Sequence, residues 1–315
     1  MIHDRASVVF AEKKQRAAAV SIVSNSGLVL LKVVAGSLTG SVAILTDAVH
    51  SSIDLIASIV AFVSVRKAGE PADETHRYGH EKIENLAAAI EGILILVGSA
   101  TIAFEAIRRL VGHGRLHTVG LGIGVVAFSI FVNVGVSTTL GRAARDTGSP
   151  ALEGDAVHLR NDALTSTAVL LGLALVKLTG AQWLDPVVAL AVAATIVLTG
   201  LRLLARSSRV LVDQALPVDE VATIHEAVGV FAPAGVVGYH ELRTRRAGAR
   251  RHIDLHVQFR AGTSLESAHR TAHSLQDMIS NRLEGADVLI HLEPEDRVRP
   301  GEELGSAEPP LTAGG

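Results

Sequence analysis

The chain has 315 residues, 48% of them hydrophobic, a mean hydropathy of +0.37 and a formal net charge of only −3. It is too apolar for most soluble domains and too weakly charged for a nucleic-acid partner, which leaves a membrane protein in a lipid bilayer. Cysteine is absent, which excludes disulfides and thiolate metal sites and argues against soft ions such as Cu(I).

Stretches of about 20 apolar residues predict six transmembrane spans, at 18–38, 42–65, 86–110, 119–140, 151–178 and 184–204. Residues 1–17 form an N-terminal segment, and the membrane domain covers 18–211. No cleavable signal pattern precedes the first span, because Lys13, Lys14 and Arg16 lead straight into a segment of spanning length. An even number of spans puts both termini on one side. Lys13, Lys14, Arg16, Arg66, Lys67, Arg77, Lys82, Arg142, Arg145, Arg206 and Arg209 fall on that side, which the positive-inside bias makes cytoplasmic. Arg108, Arg109 and Arg115 break the pattern at the outer end of the third span. With 3% aromatics and a single tryptophan, Trp183, the interfacial aromatic belts are nearly missing.

The second and fifth spans carry one pattern written twice: Asp47-Ala48-Val49-His50-x-x-x-Asp54 and Asp155-Ala156-Val157-His158-x-x-x-Asp162. Residues four apart share a helix face, so each copy presents an imidazole beside a carboxylate. Two such faces opposed give two nitrogens and two oxygens, a set that suits a tetrahedral divalent ion, with zinc leading. Ionisable groups inside a membrane are functional by default. A unit of three spans, repeated, reappears inverted, so the two motif helices run antiparallel. That is how inverted-repeat transporters place a site near the midplane. The blander reading is a set of helix-capping or interhelical polar contacts.

Charge alone argues for proton coupling. Two aspartates plus Zn²⁺ sum to zero, as do two aspartates plus two imidazolium ions, whereas an empty unprotonated site holds two costly negative charges. Metal and protons therefore exclude each other, and histidine changes charge in the required pH range. Asp47 and Asp155 extend the two faces. In antiparallel helices, Asp47 becomes a release carboxylate on the outer side and Asp155 an access carboxylate on the cytoplasmic side; a cap or a polar neighbour is the alternative for each. Glu91 in the third span could relay protons or bond to a backbone or serine group. Asn25 and Asn133 are expected to join helices by hydrogen bonds.

From Val212 the chain turns polar, and residues 212–298 read as a cytoplasmic domain. Helices are expected at 219–231 and 264–283, and strands at 236–243, 251–259 and 288–292. In the second strand Ile253, Leu255, Val257 and Phe259 alternate with His252, Asp254, His256 and Gln258. The order αββαβ predicts a ferredoxin-like α+β unit beside an all-α six-helix membrane domain. Residues 299–315 are expected to form a disordered tail.

Several motifs in order resemble one family, the cation diffusion facilitators. They are Leu45-Thr46 with the first repeat, His76-Arg77-Tyr78-Gly79-His80-Glu81-Lys82-Ile83-Glu84, Ser149-Pro150-Ala151-Leu152 with the second repeat, and Trp183-Leu184-Asp185-Pro186. The resemblance covers residues 18–295. It implies a homodimeric, proton-coupled exporter of zinc and related divalent ions in the plasma (inner) membrane, with a transport site at His50, Asp54, His158 and Asp162. The two-His, two-Asp set resembles that of zinc members. The resemblance also implies a peripheral site at Asp73, His76 and His80, an ion pair between Lys82 and Asp213, and a cytoplasmic site at His240, His256, His269 and His291. Glu293 there stands where a shorter Asp is usual. Such a site could stabilise the dimer when cytosolic metal rises. His252 and His273 are expected to be surface histidines.

Two other classes compare poorly. A membrane metalloprotease needs His-Glu-x-x-His, and His80-Glu81 and His240-Glu241 lack the second histidine, so no enzyme is expected. A non-transporting metal sensor or scaffold could lose the intramembrane quartet, which is complete here. Within transport, an exporter selecting Fe²⁺, Co²⁺, Ni²⁺ or Cd²⁺ is the alternative, since nitrogen and oxygen ligands admit those ions.

Overall fold

The computed structural model describes residues 2–39, 42–112 and 122–295, and within α2 it does not extend to the side chains of Asp47 and His50. The expected start of the fourth span, Arg115 and the expected tail lie outside the described residues. The chain divides into two compact units, with the boundary between Leu211 and Val212.

Among the described residues the first unit holds six helices: α1 (Ile2–Thr39), α2 (Val42–Ala68), α3 (Lys82–Gly112), α4 (Gly122–Thr147), α5 (Pro150–Thr179) and α6 (Leu184–Leu211). Among the described residues five of them, all but α2, contain stretches long and apolar enough to cross a membrane. α2 has 27 residues, about 40 Å at 1.5 Å per residue, so it too is long enough. The helices overrun the apolar stretches at both ends. α1 starts at Ile2, so the expected N-terminal segment is helical, because neither Gly nor Pro interrupts it before Gly27. Polar partners secure the overrun: Lys13 reaches Asp146 at 2.6 Å and Lys14 reaches Glu84 at 2.7 Å.

α4 and α5 meet at a sharp corner whose residues explain it. Gly148 adopts a left-handed φ of 61°, Ser149 caps α5 by accepting from the Leu152 N–H, and Pro150 occupies the first turn, where its missing N–H costs nothing. Gly180, at φ 72°, ends α5 and donates to Val176 O.

Packing in this unit inverts the soluble pattern. Its buried positions are rich in alanine and serine, such as Ala18, Ala61, Ala88, Ser21 and Ser58, while Leu30, Val63, Phe104, Phe131 and Leu198 are exposed. Small residues inside and large apolar ones outside are what a helix bundle in lipid requires. α3 and α6 approach closely at Gly92 and Gly200, where an added Cβ would come within 3.1 Å of Leu204 and 3.0 Å of Ile95. Arg109, out of place by the positive-inside bias, has a structural reason: it lies 3.3 Å from buried Asp185 and 3.1 Å from Glu105.

The second unit runs α7 (Val218–Val230), a short 3-10 turn, β1 (Val236–Ala247), β2 (Arg250–Phe259), α8 (Leu265–Arg282) and β3 (Ala286–Pro294). This is the expected αββαβ order. β1 and β2 form an antiparallel hairpin, and β3 lies parallel to β2 after the α8 crossover. One sheet face buries Ile253, Leu255, Val257 and Phe259 against Ile224, Val228, Leu275 and Ile279 from the two helices. The opposite face is less open than the alternation predicted. His252 and Gln258 are buried, so His252 is not a surface histidine; its Nδ1 lies 3.4 Å from Asp287.

Candidate metal centres

The deepest cluster lies where α2 meets α5. Asp54 and His158 are 7% and 8% exposed, Asp162 is partly buried, and one ligand atom from each falls within 4.8 Å of the others. His158 Nε2 lies 3.2 Å from Asp54 Oδ1 and 3.7 Å from Asp162 Oδ2. His50 sits one turn before Asp54 on α2, but its side chain is outside the description. Direction can be read from the contacts themselves. Asp54 meets His158, whereas Ser58, one turn further along α2, donates to Asp155 at 3.2 Å, one turn earlier on α5. Rising numbers meet falling ones, so the helices are antiparallel as the repeat predicted.

Asp155 is fully buried. Ser58, which donates to it, is also bonded by Ser21 at 3.0 Å and by Asn25 at 2.7 Å. Asn25 thus joins α1 to α2, as expected. Asn133 does not match its expectation, since its buried Oδ1 has no hydrogen-bond partner among the described residues.

Asp73, His76 and His80 also cluster, but not on a helix. A turn closed by the Gly79 N–H donating to His76 O, with Gly79 at φ 87°, folds the two rings to 4.6 Å apart. Asp73 accepts from the Thr75 hydroxyl and from the Thr75 and His76 N–H groups, which holds its carboxyl well below the usual range. Its two oxygens lie 3.4 Å from His76 Nδ1 and 3.3 Å from His80 Nε2, and His80 is buried.

On the open face of the sheet, Glu293 bridges two histidines. Its oxygens lie 2.8 Å from His240 Nε2 and 2.9 Å from His256 Nδ1. The His240 bond, then that from His256, lowers the Glu293 carboxyl below its ordinary value. The pairing follows from register, since His256 opposes His240 on one side and His291 on the other. The longer Glu reaches the site that an Asp was expected to fill. His291 stands at the rim, 63% exposed and 3.8 Å from Glu293. His269 is not brought into this cluster; its Nε2 lies 3.2 Å from that of His273 on the outer face of α8. Asp213 lies 3.6 Å from Arg245 in its own unit. Two histidines and a carboxylate with one position left open form a donor set that zinc accepts.

Residues 18–212 match the family described as the cation efflux transmembrane domain, and residues 216–295 match the cation efflux protein cytoplasmic domain. The chain belongs to the cation diffusion facilitator family. This facilitator is 35% identical over 264 residues to the uncharacterized transporter sll1263 of Synechocystis sp., covering 84% of this chain and 85% of that one. It is 34% identical over 285 residues to the cation-efflux pump FieF of Serratia proteamaculans, covering 90% and 94%. A solved structure of CzrB in its Zn form is 32% identical and covers 28% of this chain and 98% of its own, at a TM-score of 0.26. The facilitator is therefore a membrane cation efflux transporter and not an enzyme.

Sequence reasoning passed over two residues of the facilitator. Lys32 in α1 is buried and donates to Ser51 Oγ at 2.7 Å, one turn from Asp54. A lone charge within an otherwise apolar span was the available signal. Glu84 is buried, pairs with Lys14 and accepts from the Ser149 hydroxyl, so it ties α1, α3 and the start of α5 together. It closes the His76 to Glu84 motif quoted above, but as a first-turn glutamate it gave no sign of burial or of its partners.

Proposed function

We propose that the protein exports Zn²⁺ from the cytosol in exchange for protons by alternating access. It would act as a homodimer in the inner membrane with both termini cytoplasmic. The observation that carries this is the buried meeting of Asp54, His158 and Asp162 across two antiparallel helices. His50, one turn from Asp54, would be the fourth ligand. The two ligand carboxylates, Asp54 and Asp162, are balanced by either one divalent cation or two imidazolium protons. One Zn²⁺ leaving therefore balances up to two H⁺ entering. Asp155, nearer the start of α5, would take part in access from the cytoplasm, and Asp47 in release.

The cytoplasmic ligands would be His240, His256 and Glu293, with His291 reaching in from the rim, and a metal that binds only the closed dimer would stabilise it by mass action. Asp73, His76 and His80 would form a weaker peripheral site. The Lys82 and Asp213 pair would link membrane and cytoplasmic parts.

The test is zinc flux in proteoliposomes under an imposed pH gradient, with Fe²⁺, Co²⁺, Ni²⁺ and Cd²⁺ as competitors. The native chain is expected to move zinc against the proton gradient, and Asp162→Ala to stop it. Normal flux in Asp162→Ala, or flux indifferent to the gradient, would overturn the reading. A competitor that outruns zinc would reassign the ion.

A further inference from the structure

Glu91 on α3 is 1% exposed, and neither carboxylate oxygen has a hydrogen-bond partner among the described residues. The serine or backbone contact that was one of its two readings, beside proton relay, is not made among the described residues. What faces it is His158, whose Nδ1 lies 3.9 Å from Glu91 Oε2. The ring therefore stands between two sets of carboxylates, with Nε2 toward Asp54 and Asp162 and Nδ1 toward α3. Gly154 lets α3 come this close, because a Cβ there would lie 3.2 Å from both Glu91 Cβ and Cγ.

We infer that Glu91 is the positioning residue of the transport site, accepting a hydrogen bond from Nδ1–H of His158 so that Nε2 is presented to the metal. This rests on the transport-site reading above. A neutral imidazole offers one lone pair, and which nitrogen carries it depends on what the other bonds to. A carboxylate behind the ring fixes that choice, orients the ring and raises its basicity as a ligand. The separation of 3.9 Å exceeds a hydrogen bond by about 1 Å, so the inference requires the ring to tilt toward α3 when Nε2 turns from Asp54 to a metal ion. Burial supplies the rest of the argument. Among the described residues, His158 is the basic group that faces this buried carboxylate, the other charged neighbours being Asp54, Asp155 and Asp162.

The experiment uses the full chain, measuring zinc KM and kcat in proteoliposomes and the visible spectrum of bound Co²⁺ as a probe of coordination. Glu91→Ala is expected to raise the zinc KM by roughly 10- to 100-fold and to alter the Co²⁺ spectrum. Glu91→Gln, whose amide oxygen still accepts, should restore most of the affinity. Glu91→Asp keeps the charge but withdraws it by about one bond, 1.5 Å, and should lose most of the affinity. An unchanged KM and spectrum in Glu91→Ala, or in Glu91→Asp should the alanine variant fail to fold, overturns the inference, as does a Gln variant no better than Ala. Asp162→Ala is the control: if it transports normally, the site itself has been misplaced, whereas its inactivity beside an unaffected Glu91→Ala condemns the positioning role alone.

Discussion

Zinc should raise the unfolding temperature of the cytoplasmic unit, and Glu293→Ala should abolish the effect. Residues 212–295 have their own core of Ile224, Val228, Ile253, Leu255 and Leu275, so the unit can be studied as a fragment. Glu293 is the hub of its donor set, within 2.9 Å of both His240 and His256. Without it two imidazoles remain with no anion between them. A ligand that binds only the folded state stabilises it by about 2.7 kcal/mol at a free concentration 100 times its Kd. For a domain of this size, about 4–8 °C accompanies each kcal/mol, so a shift of about 10 to 20 °C is expected. Differential scanning calorimetry at pH 7.5 with increasing zinc, repeated with a chelator in excess, measures it directly. Replacing the rim residue, His291→Ala, should reduce the shift by less than Glu293→Ala does. If Glu293→Ala keeps the full shift, or the native unit shows none at saturating zinc, the assignment of this cluster as a metal centre is wrong.

Two further outcomes follow from packing and charge. Gly92→Val, placed where even a Cβ meets the Leu204 backbone at 3.1 to 3.2 Å, should force α3 from α6 and cost about 1–3 kcal/mol; a lower melting temperature of the detergent-solubilised chain checks it. In the cytoplasmic unit the Glu220 carboxyl is lowered by the Arg251 guanidinium, which bonds both its oxygens at 2.8 and 2.9 Å, and by nearby Arg246. A lowered acid stabilises the fold above its unfolded value of 4.5 and loses that stabilisation as pH falls through the folded value. Between pH 6 and 3, thermal stability should therefore fall less steeply in Glu220→Gln than in the native unit, and parallel slopes would contradict this.

The sequence by itself determined what depends on backbone periodicity. A helix places His158 and Asp162 on one face whatever surrounds it, and a strand sends Ile253, Leu255, Val257 and Phe259 to one side. The repeated motif and the three-span unit therefore made the antiparallel site legible, whereas His240, His256 and Glu293 were named through the family resemblance, and the register of the folded sheet is what sets the two histidines side by side. What periodicity does not set is the distance between elements, which depends on which small residues allow close approach and on how the turns run.

Only tertiary structure could show that Gly154 admits Glu91 to the back of His158, or that Glu84 joins three helices. It also decided that His76 and His80 meet through a turn at Gly79, although four-residue spacing reads as helical. His269, by contrast, meets His273 one turn further along α8, a contact that helical spacing itself sets. Within one element, spacing follows from covalent geometry; between elements it follows from packing, where one missing Cβ can bring a buried carboxylate to within 4 Å of a ring.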